Sequence, residues 1–310
     1  MKKHKIVIIG GGMVGSSFAH QLVVGDLCDE LVLIDINERK MEADSLDFLH
    51  ALPYLASNKK QIYAGNFTDC VDADLIAITA NAPTAQFDDA HDRLTLLKSN
   101  VEMISEIVSN VRKSGFDGIF LVATNPCDLI TQAVANCSNL PKNRVIGTGT
   151  LLETSRLRHM IGEQLNMNPQ NVHGFVLGEH GKSSFTAWST VNIGGQNITK
   201  YQSNLTSFEQ IDQEIRDAGF RIHSGKGNTS YGIAAMLERL ARAILHDEQI
   251  ILPVSTFDEK HQMYVGWPAI IDQTGIRERL DLALTADEWK KYENSVKILQ
   301  ENWQTLKSEK

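Results

Sequence analysis

The chain has 310 residues, of which 42% are hydrophobic and 22% charged, and its formal net charge is −8. This length and composition are typical of a globular enzyme with two domains or one large one. The acidic balance argues against nucleic acid or an anionic membrane as a partner, because bulk negative charge repels both. If the protein binds an anion, a few well-placed cations must hold it locally.

The N-terminal segment and the cysteines predict a cytoplasmic protein. The apolar run after Met1 is short and ends in glycines, which is unlike a signal peptide or a membrane span. The four cysteines form no CxxC pair, and no histidine cluster has the spacing of zinc ligands. We therefore expect reduced thiols and no metal site.

The first half of the chain alternates short apolar runs with helical patterns. Continuous apolar strands separated by helices predict an α/β fold, with a doubly wound parallel sheet covered on both faces. The predicted helices span residues 14–24 and 38–49. The predicted strands span residues 6–9, 31–34, 61–64, 75–79, 119–123 and 145–147.

The second half has α+β character, so we place the domain boundary near residue 146 and assign residues 146–310 to a substrate domain. Amphipathic spacing predicts a long helix after Thr229, and Thr285 with Glu288 forms a capping-box pattern at the start of the last helix. A helix is also predicted at residues 151–165, and strands at 172–177, 186–193, 250–254 and 264–271.

Three glycines and an acid predict a dinucleotide site of the Rossmann type in residues 1–145. The GxGxxG run that begins at Gly10 follows a predicted strand and opens a predicted helix, as the motif requires. The helix N-terminus offers N–H groups and partial positive charge to a pyrophosphate. Asp35 follows Gly15 by 20 residues, where a carboxylate binds the adenosine ribose and disfavours a 2′-phosphate. We therefore predict NAD, bound by Gly10, Gly12, Met13, Val14, Gly15 and Asp35.

The second half supplies residues suited to the reduction of a 2-oxo acid. Glu153 and Arg156 are three residues apart, so they project from the same side of a helix. The fork of an arginine can bind a planar carboxylate through two parallel hydrogen bonds. His180 can exchange a proton near neutral pH, although a single loop histidine is more often a surface residue.

With these motifs the sequence resembles the lactate and malate dehydrogenase superfamily over essentially the whole chain. The gap of 24 residues between Arg156 and His180 is that of the family. The resemblance implies an NAD-dependent L-2-hydroxy acid dehydrogenase, and we favour a homotetramer over a homodimer. The shared motifs are the glycine-rich turn, Asp35, Arg93, Asn125-Pro126, residues 153–156 and residues 178–181.

The resemblance also implies a role for each matched residue. His180 would exchange the proton, and Arg156 would clamp the substrate carboxylate. Arg93, beside a mobile loop at residues 81–92, would polarise the ketone. Asn125 would hold the substrate oxygen or the nicotinamide, and Thr229 would line the substrate pocket.

One position departs from the family pattern, which usually has aspartate where this chain has Glu153. The acid accepts the second N–H of the catalytic histidine and stabilises its imidazolium form. Glutamate keeps the charge but is one methylene longer. We expect Glu153 to retain the role, with either a bent side chain or a helix that sits slightly back.

The loop at residues 81–92 bears on the substrate. It contains no arginine or lysine but three aspartates. The second carboxylate of a dicarboxylate such as malate would therefore be unpaired there, at a desolvation cost of at least ~2 kcal/mol. Gln86 is a candidate for the glutamine that lactate dehydrogenases place on this loop. The stretches at residues 147–152 and 229–232 are more similar to L-2-hydroxyisocaproate dehydrogenases. We favour a branched-chain 2-oxo monocarboxylate, with pyruvate and L-lactate as the alternative.

Two further hypotheses follow from the resemblance. Arg158 and His173 match positions that bind fructose 1,6-bisphosphate across a subunit interface in allosteric bacterial lactate dehydrogenases, although non-allosteric relatives carry the pair too. A non-catalytic NAD-binding sensor would keep the glycines and Asp35 but would not need His180 with Arg156. The joint presence of both residues favours an enzyme.

Overall fold

The computed structural model of the chain describes residues 3–55, 60–82 and 92–308. Two compact units interleave along the chain. The first comprises Met1–Thr148, Ser230–Ile250 and Ile271–Arg277, and the second comprises Gly149–Thr229, Ile251–Ile270 and Glu278–Lys310. Within the described residues, no helix combines the length and the hydropathy of a bilayer-crossing segment.

The first unit is built on six parallel strands. The strands are β1 (Lys5–Ile9), β2 (Glu30–Ile34), β3 (Gln61–Ala64), β4 (Leu75–Ile78), β5 (Ile119–Val122) and β6 (Val145–Gly147). Their order in the sheet is β3-β2-β1-β4-β5-β6, and the helices between them are α1 (Met13–Val24), α2 (Glu38–Ala51), α3 (Asp92–Lys113) and α4 (Cys127–Ser138). Strands β1, β4, β5 and β6 are wholly buried, as a sheet covered on both faces requires. The predicted α/β class with a Rossmann-type sheet is confirmed.

The remaining elements follow residue 148. The helices are α5 (Leu151–Gln164), α6 (Phe208–Lys226), α7 (Tyr231–Leu245) and α8 (Ala286–Ser308). The short strands are β7 (Val172–His173), β8 (Val176–Leu177), β9 (Phe185–Thr186), β10 (Asn192–Ile193) and β11 (Gln196–Asn197), and the longer ones are β12 (Ile250–Asp258), β13 (Met263–Asp272) and β14 (Gly275–Arg279). Helix α7 belongs to the first unit, where its apolar face packs on α1.

Two strand predictions in the second unit hold only at the ends of their ranges. The run at residues 172–177 is split into β7 and β8, because Gly174 between them adopts a φ of +140°. The run at 186–193 ends after Thr186 in a 3₁₀ helix over Trp188–Thr190, and only β10 resumes the strand. The indole of Trp188 stacks on Phe208 with ring centroids 3.9 Å apart, so packing on α6 accompanies the turn.

The register of the parallel strands aligns their carboxyl ends. Ile9 pairs with Ile34 of β2 and with Ile78 of β4, and Ile78 pairs with Val122 of β5. The residues that follow these strands therefore emerge at one edge of the sheet. In doubly wound folds this edge binds ligands.

Candidate active site

The glycine-rich turn lies between β1 and α1 and is packed tightly on the sheet at two of its three motif glycines. A Cβ at Gly10, whose φ is +108°, would lie 2.4 Å from the backbone N of Ala80. A Cβ at Gly15 would lie 1.9 Å from the carbonyl O of Gly10. A Cβ at Gly12 would meet no described atom within 4 Å, so the backbone is open to a ligand there.

The start of α1 can accept an anion. Gly12 is the N-cap residue of α1 and has no side chain that could cap the helix, and the first turn carries no acid. The first N–H groups of a helix have no intrahelical acceptor and carry partial positive charge. Met13 is 56% exposed at this end, where Val14 is half-buried. This environment fits a pyrophosphate.

Asp35 follows β2 and connects it to the glycine-rich turn. Its Oδ2 accepts the N–H of Gly11 at 2.6 Å, and its Oδ1 accepts the N–H of Asn37 at 2.9 Å. A carboxylate has about four acceptor positions, so capacity remains for ribose hydroxyls. The amine of nearby Lys40 donates to Asp44 and, at 3.0 Å, to Ser16 Oγ. The residues of the first unit therefore fit NAD.

Asn125 follows β5, and its side chain is exposed. The backbone carbonyl O of Asn125 accepts a hydrogen bond from Nδ2 of Asn100 at 2.8 Å. Oδ1 of Asn100 accepts the backbone N–H of Ala82 at the same distance. Asn100 is wholly buried on α3. Sequence reasoning missed this bridge between the segments after β4 and β5, although an asparagine on the apolar face of a helix is a detectable signal.

Glu153, Arg156 and His180 are brought together in the second unit. Oε2 of Glu153 lies 3.1 Å from Nδ1 of His180, and Oε1 lies 3.2 Å from Nη1 of Arg156. Nη1 of Arg156 also donates to the carbonyl of Ile215 at 3.3 Å. Glu153 is 4% exposed, so its carboxylate is a buried charge with two basic partners.

The electrostatics of Glu153 follow from these contacts. Burial alone would raise the pKa of its carboxyl, but the charge and hydrogen bond of His180 and the charge of Arg156 outweigh burial. The pKa therefore lies below its ordinary value. Because the carboxylate can only accept, Nδ1 of His180 is the ring nitrogen that carries the hydrogen facing it.

His180 is held on a loop that begins directly after β8. Gly178, with a φ of +92°, exchanges two backbone hydrogen bonds with Gly266 of β13, at 3.0 and 2.9 Å. The next N–H, that of Glu179, donates to Oγ of Ser295 at 2.7 Å. The imidazole therefore projects from a segment that is anchored on β13 and α8.

The other predicted residues are placed less completely. Thr229 is half-buried and follows α6 in the sequence. Arg93 lies in the first turn of α3, but its side chain lies outside the described part of the chain, as does all of Gln86. Arg158 is half-buried on α5, and its Nε has no hydrogen-bond partner within the described residues. His173 is exposed on β7.

Two family models together match almost the whole chain. The model described as lactate/malate dehydrogenase, NAD binding domain, matches residues 4–147. The model described as lactate/malate dehydrogenase, alpha/beta C-terminal domain, matches residues 150–310.

Relatives and solved structures are similar to this chain over nearly their full lengths. L-lactate dehydrogenase of Halalkalibacterium halodurans is 42% identical, covering 97% of this chain and 96% of that protein. L-lactate dehydrogenase 2 of Bacillus cereus is 40% identical, covering 97% and 98%. A lactate dehydrogenase from a Medee basin deep-sea metagenome superposes with a TM-score of 0.94 at 38% identity, covering 99% and 100%. The ligand-bound minor L-lactate dehydrogenase of Enterococcus mundtii gives 0.93 at 37% identity, covering 98% of each chain.

Proposed function

The chain belongs to the lactate/malate dehydrogenase family and is an NAD-dependent 2-hydroxy acid dehydrogenase, and within that class we propose that it interconverts pyruvate and L-lactate. The observation that carries the proposal is the contact of Glu153 with both His180 and Arg156, at 3.1 and 3.2 Å. This contact supports the proposal because one buried acid meets both the residue that would donate the proton and the cation that would bind the substrate carboxylate. The names of the relatives favour pyruvate as the 2-oxo acid.

The chemistry divides among these three residues. Arg156 would bind the substrate carboxylate through its planar guanidinium. His180 would donate a proton from Nε2 to the ketone oxygen, while Glu153 stabilises the imidazolium through Nδ1. In the reverse direction Nε2 would accept the proton of the hydroxyl. When bound, NADH would supply the hydride. The roles of Arg93, Asn125, Gln86 and Thr229 stay predictions from the resemblance.

A branched-chain substrate is the competing candidate. Gly232, in the first turn of α7, is exposed and presents no side chain, which favours room for a longer substrate. One methylene changes discrimination by only about 1–3 kcal/mol, so overlap between the two substrates is expected. We place pyruvate first because two relatives that match this chain over nearly their whole length are named L-lactate dehydrogenases.

The test compares kcat/KM for pyruvate, 4-methyl-2-oxopentanoate and oxaloacetate, followed by oxidation of NADH. We expect kcat/KM for pyruvate to exceed that for the branched acid at least about tenfold, because a pocket fitted to a methyl group must rearrange to admit an isobutyl group, at a cost of about 1–3 kcal/mol. A larger value for 4-methyl-2-oxopentanoate would establish the branched-chain candidate instead. Preference for oxaloacetate would contradict both, and no turnover of any 2-oxo acid would leave the NAD-binding sensor.

The role of His180 is tested by His180→Asn with His159→Gln as a matched control. His159 lies on α5 one turn after Arg156, but it is exposed, and its Nε2 lies 3.9 Å from Oε2 of Glu163. Loss of the general acid should lower kcat by about 10²–10⁴-fold, with NADH still bound. The control should retain wild-type turnover. Equal activity of the two variants would remove His180 from the mechanism.

We also propose that Arg158 and His173 bind fructose 1,6-bisphosphate in a homotetramer. Burial lowers the pKa of the Arg158 guanidinium, and a phosphate would supply the acceptor that its Nε lacks within the described residues. At pH 6, fructose 1,6-bisphosphate should lower the pyruvate concentration that gives the half-maximal rate in the wild type but not in Arg158→Gln. Light scattering should give four chains. If the bisphosphate leaves the pyruvate saturation curve of the wild type unchanged, the anion site is wrong, while the proposed reaction is unaffected.

A further inference from the structure

A closed ring of hydrogen bonds lies behind the loop that carries His180. The hydroxyl of Ser295 accepts the N–H of Glu179 at 2.7 Å and lies 2.8 Å from Oγ of Ser183. Oγ of Ser183 in turn donates to Oε2 of Glu179 at 2.6 Å. Because Ser183 has one hydroxyl hydrogen and gives it to the carboxylate, Ser295 must donate to Ser183. The ring therefore has a single sense of donation.

Ser295 is built into the interior of the second unit. It lies on α8 with no exposed surface, more than a hundred residues from the loop in sequence. Gly178 makes the approach of α8 possible, since a Cβ there would lie 2.6 Å from Oγ of Ser295. On its other side Gly178 is paired with Gly266. The backbone directly before His180 is thus fixed from two sides.

We propose that Ser295 is a positioning residue for His180, an inference that rests on the proposed role of that histidine. Its hydroxyl fixes the backbone of Glu179 so that Nδ1 of the imidazole stays at hydrogen-bond distance from Glu153. Ser295 itself touches no reacting group. Without the hydroxyl, the N–H of Glu179 loses its acceptor, and the loop relaxes to find another. A displacement of about 1 Å at a catalytic group is enough to cost about 100-fold in rate.

The test is Ser295→Ala, compared with Ser189→Ala. Oγ of Ser189 donates to Oε2 of Glu288 at 2.7 Å, and Glu288 lies on α8, as Ser295 does. The control therefore also removes a side-chain hydrogen bond that holds α8 to another segment of the second unit. For Ser295→Ala we expect kcat for pyruvate to fall about 10- to 100-fold, while the Kd of NADH stays unchanged. The midpoint of the pH profile of kcat/KM should move to lower pH, because the imidazolium loses part of its stabilisation by Glu153. Ser189→Ala should keep the wild-type rate and profile.

The outcomes separate positioning from simple structural support. If Ser295→Ala and Ser189→Ala lose stability alike and neither changes kcat or the pH profile, the positioning role is wrong. Should Ser295→Ala fail to fold, Ser295→Cys keeps a side chain of similar shape but replaces the hydroxyl with a thiol, which is a weak acceptor for the N–H of Glu179. An unchanged kcat and pH profile in that variant overturns the proposal equally. A wild type that reduces no 2-oxo acid contradicts the proposed function, whereas an active wild type with a normal Ser295→Ala contradicts only the positioning.

Discussion

Nδ1 of His180 lies 3.1 Å from Oε2 of Glu153, on a glutamate where the family usually has aspartate. The second oxygen of the same carboxylate lies 3.2 Å from Nη1 of Arg156. One carboxylate therefore contacts both the histidine and the arginine. Such an acid can stabilise the imidazolium and hold the guanidinium in place at the same time.

Substitution at position 153 should separate the charge of the acid from its length. Glu153→Gln keeps the length but removes the charge, so kcat for pyruvate should fall about 10²–10⁴-fold as the imidazolium loses its partner. Glu153→Asp keeps the charge, and its activity should exceed that of Glu153→Gln at least about tenfold. Steady-state kinetics with folded protein, verified by circular dichroism, decides the order. Equal loss in both variants would show that length governs the site.

Substitution of two glycines of the GxGxxG motif should have different effects, one on stability and one on NADH binding. Gly15→Ala places a Cβ 1.9 Å from the carbonyl of Gly10, so it should destabilise the fold by about 1–3 kcal/mol. Gly12→Ala meets open space, so stability should change by less than about 0.5 kcal/mol. The added methyl at position 12 should nevertheless raise the Kd of NADH, because the backbone there approaches the pyrophosphate. Urea unfolding and fluorescence titration check the pair, and tight NADH binding by Gly12→Ala would remove the turn from the cofactor site.

Asp35 should set the choice between NADH and NADPH. A charged hydrogen bond is worth about 1.5–3 kcal/mol, so Asp35→Ser should lower kcat/KM for NADH about 10- to 100-fold. The same change removes the charge that disfavours a 2′-phosphate, so the relative use of NADPH should rise. The amine of Lys40 is already bound to Asp44 and Ser16, so we expect Lys40→Ala to leave the NADH preference in place. A variant at position 35 that keeps the full preference would refute the assignment.

The sequence predicted the first unit well because its central strands β4 and β5 are apolar along their whole length. A continuous run such as β4, with all four residues buried, has one structural interpretation once turns and helices flank it. The same reasoning failed at residues 172–177 and 186–193. There, the backbone conformation of Gly174 and the stacking of Trp188 on Phe208 break runs that look like strands. Contacts with a distant helix cannot be read from local periodicity.

The site was predictable only in part, for a similar reason. The three-residue spacing of Glu153 and Arg156 indicated a shared helix face, and in the structure Glu153 contacts both Arg156 and His180. Neither Asn100 nor Ser295 was predicted, because both act through hydrogen bonds to backbone groups far away in sequence. Supporting residues of this kind are single polar side chains on buried helix faces, and their partners become visible only in three dimensions.

A second buried acid should make the stability of the second unit depend on acidity. Asp258 is 5% exposed, and its Oδ2 accepts from the hydroxyl of Tyr292 at 2.5 Å and lies 3.0 Å from Nδ1 of His261 and 3.3 Å from Nη1 of Arg279. Burial alone would raise the pKa of this carboxyl, but Tyr292, His261 and Arg279 outweigh burial and hold the pKa well below its ordinary 3.8. The folded state therefore favours the ionised form.

A lowered pKa contributes stability above the unfolded value and loses that contribution as the pH falls through the folded value. At pH 7, Asp258→Asn should therefore be less stable than the wild type by about 3–5 kcal/mol, because Arg279 is left without its buried partner. The difference should narrow as the pH falls below about 4, near the ordinary pKa of an aspartate. Urea unfolding from pH 7 to pH 3 measures it, with the exposed Asp281→Asn as the control that should follow the wild type throughout. A difference that is the same at every pH would show that Asp258 contributes through packing rather than through its charge.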